Sequence, residues 1–176
     1  PSIAKLDVDG DFAGNLMLSG AGAHPTLDHV EIKGAISGGT WNSYGTAGKI
    51  AADSIDASWR ASFGGAVEKI ETKGDMSGTL AAPSIGTLHV GGDMLGARVL
   101  AGAVLTGPGG SGAYRFGQGS IEELRIDRSV RDSTILVGVD PVDGIYSNGN
   151  DLIVGGTASR IRRISVDGLL LGATSL

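Results

Sequence analysis

The stretch LDVDGDFAG, Leu6 to Gly14, sets Asp7, Asp9 and Asp11 at alternate positions, a spacing that could open a calcium loop. A helix-loop-helix calcium site needs glycine at its sixth position and a carboxylate at its twelfth. Counting from Asp7 gives Phe12 and Leu18, so that chemistry fails. The Gly-Asp pair returns at Gly74-Asp75 and Gly92-Asp93. It reads as turn chemistry, with the carboxylate accepting nearby backbone N–H groups.

A second oxygen-rich stretch contains Asp140, Asp143, Asn148, Asn150 and Asp151. Several carboxylates and amides in one loop suit calcium, although PVDG and SNGND are equally ordinary turn sequences. No other cofactor is expected. The histidines, His24, His29 and His89, are not spaced as a metal pair along the chain and read as surface residues. Trp41 and Tyr44, if exposed, would make a sugar-stacking or protein-binding patch, whereas Trp59 and Phe63 fall at inward positions of the repeat described below. Acid-base cleavage of a polysaccharide would need converging carboxylates. Asp7, Glu31 and Glu71 could line one outer face, but Asp-Asp and Gly-His-Gly motifs of the polygalacturonase kind are absent. The expectation is therefore not an enzyme.

The composition narrows the classes further. Glycine is 31 of 176 residues and proline only 5, with no triplet period, which excludes collagen and calls for many tight corners. There is no cysteine, so no disulfide framework and no thiolate metal site. A net charge of −5 argues against nucleic acid as a partner. No apolar run approaches the roughly 20 residues that span a bilayer as a helix, so membrane insertion is not expected.

What must position these residues is a repeat. The frame Ile3, Leu6, Val8, Gly10, Phe12, Gly14 returns as Leu27, Val30, Ile32, Gly34, Ile36, Gly38 and as Val67, Ile70, Thr72, Gly74, Met76, Gly78. It returns again as Ile85, Leu88, Val90, Gly92, Met94, Gly96, as Ile121, Leu124, Ile126, Arg128, Val130, Asp132, and as Ile161, Ile164, Val166, Gly168, Leu170, Gly172. A degenerate third copy reads Ile50, Asp53, Ile55, Ala57, Trp59, Ala61. Copies starting at 3, 27, 50, 67, 85, 121 and 161 are separated by 24, 23, 17, 18, 36 and 40 residues. Leu-x-Val alternation has the period of a strand, and glycine follows where the backbone must bend. A unit of about 18 residues cannot bury its own apolar face, so copies must stack at about 4.8 Å.

The expected fold is all-β: a right-handed parallel β-helix of about seven or more turns, with variable arms at residues 103–120 and 139–159 that could instead hide extra turns. Handedness follows from the crossover rule. Residues 1–176 are expected to form a single domain, and the start at Pro1 and the mid-pattern stop in LLLGATSL suggest a piece of a longer or processed chain. In this frame Glu122 and Glu123 take the positions of Arg162 and Arg163, which predicts an ion-pair ladder if those copies adjoin.

Through IEELRIDRSVRDSTILVGVD (121–140) and IRRISVDGLLLGATSL (161–176), the chain resembles the β-solenoid repeats of very large bacterial cell-surface and secreted proteins. GDMSGTLA and GDMLGARV give a second resemblance, to the polymerising bactofilins. The first implies an extracellular structural or adhesive role: a rigid rod, an adhesin stalk, or a filament or layer subunit. The partners would be neighbouring repeats, identical copies, glycans or other surface proteins. The alternatives are a carbohydrate-binding or polysaccharide-cleaving β-helix and a bactofilin-like polymerising scaffold.

Overall fold

Alternation of aliphatic and polar residues over short runs, cut by glycine, produces strands that keep returning to the same sheets. The computed structural model describes residues 1–20, 24–105, 114–143, 148–154 and 156–172. A first parallel sheet takes, in chain order, Ile3–Val8, Leu27–Ile36, Ala47–Ile55, Val67–Thr72, Ser84–Val90 and Ser120–Ile126, then Arg160–Ile161 with Ile164–Val166. A second parallel sheet takes Leu16–Leu18, Thr40–Ser43, Arg60–Phe63, Thr79–Ala82, Arg98–Ala101 and Thr134–Val137. Between them, a narrow ribbon of bridges joins Phe12 to Ile36, Ile55 to Met76 and Met76 to Met94, and continues through Val130 to Leu170. The chain is thus all-β with parallel sheets, an arrangement compatible with a β-helix.

Register makes the repeat visible. Leu6 pairs with Val30, Val30 with Ile50, Ile50 with Ile70, Ile70 with Leu88, Leu88 with Leu124, and Leu124 with Ile164. The five middle members are fully buried, Leu6 is half-buried, and Ile164 is 56% exposed. Inward residues of both sheets belong to a single apolar cluster. A column of this kind is what a strand with only one buried face requires, because a slip of one residue would turn every aliphatic outward.

The third copy departs from the frame read in the sequence. It begins at Ala47, which pairs with Leu27 and Val67, and not at Ile50. The starts become 3, 27, 47, 67, 85, 121 and 161, so the spacings of 23 and 17 are in fact 20 and 20. Small residues hide it: Ala47 and Ala52 take inward positions held by larger aliphatics in other copies. Trp41, Trp59 and Phe63 fill the same core cluster, and close packing at fixed volume favours small residues near large rings. One extra residue in Leu27–Ile36, where the pairing shifts between Ile32 and Ala35, adds to the disguise.

Both long insertions contain hairpins. Ala103–Leu105 pairs antiparallel with Tyr114–Phe116, and Val139–Asp140 with Leu152–Ile153. The first lies against the outer side of the second sheet. There, Tyr114, Phe116 and Leu136 pack on Ala81, Leu100 and Ala103, and the Tyr114 hydroxyl is 2.8 Å from Ser62 Oγ. The PGGSG segment that suggested an arm lies outside the described residues, as do residues 144–147 of the second insertion.

Candidate functional site

The aspartates of the Gly-Asp pairs act between copies. Asp11 Oδ1 accepts the Ala35 N–H at 2.8 Å, Asp75 Oδ1 the Asp93 N–H at 2.7 Å, and Asp93 Oδ1 the Ser129 N–H at 2.7 Å. Ser129 Oγ continues the series by accepting the Leu169 N–H at 3.1 Å. Each carboxylate therefore fastens a corner of one copy to the next, satisfying backbone donors that no sheet ladder reaches. The partner glycine is set by this contact. A Cβ on Gly92 would run into Asp75 Oδ1 and lie 2.6 Å from the Gly74 carbonyl carbon, and one on Gly168 would lie 2.7 Å from Ser129 Oγ. Left-handed backbone occurs instead at Gly96, φ +60°, whose place in the next copy is held by Asp132, φ 49°. Asp is among the few residues that tolerate that region.

On the outward face of the first sheet, Asp7, Glu31, Ala51, Glu71, His89, Arg125 and Ser165 form a row, with Ala51 where the sequence frame put Ser54. Because Ala51 is short, a groove of about 420 Å³ opens there, lined by Glu31, Lys49, Glu71, Lys73, His89 and Asp127 among others. Its charges are largely spent on one another. Glu71 meets Lys69 at 2.9 Å and Lys49 at 3.5 Å. His89 Nε2 is 3.0 Å from Asp127, and its Nδ1 is 3.6 Å from Glu71. The Lys69 hydrogen bond, helped by the charge of Lys49, holds the Glu71 carboxyl below its ordinary range. His89, then Arg125, do the same for Asp127. Carboxylates held ionised in this way form salt bridges readily and donate protons poorly.

Residues singled out in the sequence fall in several places. Trp41 is 1% exposed. Its indole N–H donates to the Gly14 carbonyl at 3.0 Å, and its ring meets Phe12 and Trp59 edge-on. Trp41 is therefore a core residue and not part of a sugar-stacking surface, because it pairs with Leu16 and Ala61 on the inward side of the second sheet. Tyr44 is half-buried at the end of that strand. Trp59 and Phe63 are fully buried as expected, although Phe63 pairs with Ser43 and so occupies the column of Leu18, not that of Leu16.

Within the proposed calcium loop, Asp143 Oδ2 accepts from the side-chain amides of Asn148 at 3.1 Å and Asn150 at 2.8 Å. Asp140 Oδ1 accepts the Val142 N–H at 3.1 Å, and Asp151 is half-buried next to the Leu152–Ile153 strand. The structure thus gathers Asp143, Asn148 and Asn150 and gives Asp140 a turn of its own. The ion-pair ladder is present: Glu122 to Arg162 at 3.4 Å and Glu123 to Arg163 at 3.3 Å. It borders a second groove of about 410 Å³ above Gly86 and Thr87.

One grouping escaped the sequence reading. Asp7, His29 and Glu31 each offer a ligand atom, and the three lie within 4.8 Å of one another. Spacing along the chain does not reveal it, because the grouping forms across two strands. Its signal was available in the frame, where Asp7 and Glu31 are equivalent and His29 precedes Glu31 by two residues on the same face. Comparison with family models, with curated proteins and with solved structures yields no match in any of the three.

Proposed function

We propose that this chain is a non-enzymatic structural or assembly module of a bacterial surface or secreted protein, with its parallel sheets closed into a right-handed β-helix that serves as a rod or spacer. The observation that carries this reading is the unbroken column from Leu6 to Ile164, cross-fastened at its corners by Asp11, Asp75 and Asp93. Stacking of identical units builds length and stiffness from little sequence information. Right-handedness follows from the twist of strands joined by parallel crossovers. The salt-bridged state of Glu71 and Asp127 supports a structural use of the outward carboxylates over acid-base chemistry.

The ends of the stack favour assembly. Among the described residues, the Ile3–Val8 strand has a sheet partner on one side only, as does the Ile164–Val166 strand. Ile164, Leu169, Leu170 and Leu171 are exposed. Open strand edges and apolar ends are templates for pairing with another chain or another repeat. Sedimentation velocity over a concentration series, with negative-stain imaging, is expected to show elongated species that lengthen end to end. A glycan array and a cleavage assay on acidic polysaccharides accompany it. Turnover of any polysaccharide would overturn the non-enzymatic reading, and monomers at every concentration would remove self-assembly from it.

A further inference from the structure

We propose that Asp7, His29 and Glu31 form a binding site for a first-row divalent cation of the zinc type, spanning the first two strands of the first sheet. Asp7 and Glu31 are direct register partners, and His29 is paired with Lys5, so the imidazole lies diagonally from Asp7 on the same outward face. All three donor atoms fall within 4.8 Å, with His29 Nε2 to Glu31 Oε2 at 3.9 Å. Zinc bonds of about 2.0–2.2 Å set two donors on one ion about 3–3.6 Å apart. Closure therefore needs side-chain rotations of about an ångström, while the strands that carry the residues stay paired.

Chemistry selects the ion. One imidazole with two carboxylates suits zinc, cobalt or nickel, whereas calcium and magnesium favour all-oxygen shells. Three protein ligands on an exposed face leave the remaining positions to water. Of the three carboxylates here, Asp7, Asp9 and Glu31, the first two have lysine partners, Lys5 at 2.6 Å and Lys33 at 2.7 Å. The one ion pair of Glu31 among the described residues is the long contact to His29. Ala51, the next residue of the row, brings no cation to Glu31. Lys5 must swing away from Asp7, and an exposed pair of that kind holds only weakly. Such an ion would tie the edge strand Ile3–Val8 to its neighbour. The site needs only that one strand pairing and stands whether or not the chain forms a rod.

The test is calorimetric titration of the intact chain with zinc chloride, alongside nitrogen-15 imidazole spectra. One equivalent of zinc is expected to bind and to shift the His29 ring resonances, leaving those of His24 and His89 in place. His29→Ala and Glu31→Gln are expected to weaken binding by at least about tenfold, since loss even of an outer-sphere partner costs that much. Lys5→Ala is expected to tighten it, and calcium chloride to give no signal. Full affinity in His29→Ala, or an unmoved His29 resonance under millimolar zinc, overturns the proposal. The spectra of the unaltered chain decide the matter even if a variant folds poorly.

Discussion

Glu123, in the Ser120–Ile126 strand, faces Arg163, in the break between Arg160–Ile161 and Ile164–Val166, with 3.3 Å between Oε1 and Nη1 although 40 positions separate them in the chain. The Arg163 side chain is well exposed and that of Glu123 is partly so, at 72% and 38%, and the pair sets register more than it adds stability. Reversing either charge alone, Glu123→Arg or Arg163→Glu, is expected to cost about 0.5–1 kcal/mol through like-charge contact. The double reversal should recover most of that loss. Urea denaturation of the four proteins as a thermodynamic cycle checks it.

Corner fastening gives a sharper expectation. Asp93 accepts an N–H from Ser129 and itself donates an N–H to Asp75, so it links three copies. Asp93→Ala leaves the N–H of buried Ser129 without its acceptor and is expected to cost about 1–3 kcal/mol. Asp93→Asn, which retains an acceptor oxygen, should cost less. Gly92→Ala is expected to exceed both, because its Cβ meets the Asp75 carboxylate and the Gly74 backbone. Thermal melts of the three variants rank the effects.

Acid should loosen the molecule in a defined window. Glu71, ordinarily near 4.5, is held lower chiefly by the Lys69 hydrogen bond. Asp127, ordinarily near 3.8, is held lower chiefly by His89. A carboxyl whose folded value is depressed contributes stability that is fully present above its unfolded value and is lost as pH falls through the folded one. Urea midpoints are therefore expected to be level just above pH 4.5 and to fall below it. A Glu71→Gln/Asp127→Asn variant should start lower at neutral pH and decline less steeply in acid.

Burial of Trp41 also has a spectroscopic consequence. Both tryptophans are essentially inaccessible, at 1% for Trp41 and 0% for Trp59. Emission is expected to be blue-shifted, resistant to iodide and unaffected by added glycans. Trp41→Ala should destabilise by about 3–5 kcal/mol, the usual cost of emptying an aromatic site in a packed core. A ligand-stacking tryptophan would instead be quenched and would tolerate replacement.

The column itself was legible in the sequence because Leu6, Val30, Ile70 and Leu88 keep a constant spacing to the glycine that follows, and periodicity survives changes of side chain. The third copy is hard to frame because alanine carries too little hydrophobic signal: Ala47 and Ala52 are seen to be inward only from their register with Leu27 and Ile32. Trp41 was ambiguous for a related reason. An indole is both apolar and a donor, and only its pairing with Leu16 shows which way it points. The role of glycine was half legible. Its recurrence marked a corner, yet at Gly92 and Gly168 close approach by the preceding copy demands it, a contact that no single copy contains. His29 near Asp7 is likewise a product of stacking, invisible to spacing along the chain.

Both hairpin insertions leave from the same corner, directly after Arg98–Ala101 and Thr134–Val137, through Gly102 at φ +98° and Gly138 at φ +67°. Those two strands are neighbours in the second sheet. The two insertions therefore leave the sheet from points about one strand spacing apart, roughly 4.8 Å, while Leu88 and Leu124 keep their register in the first sheet. That corner is thus a place where two neighbouring copies both accept added chain without losing the pairing of the strands that carry it.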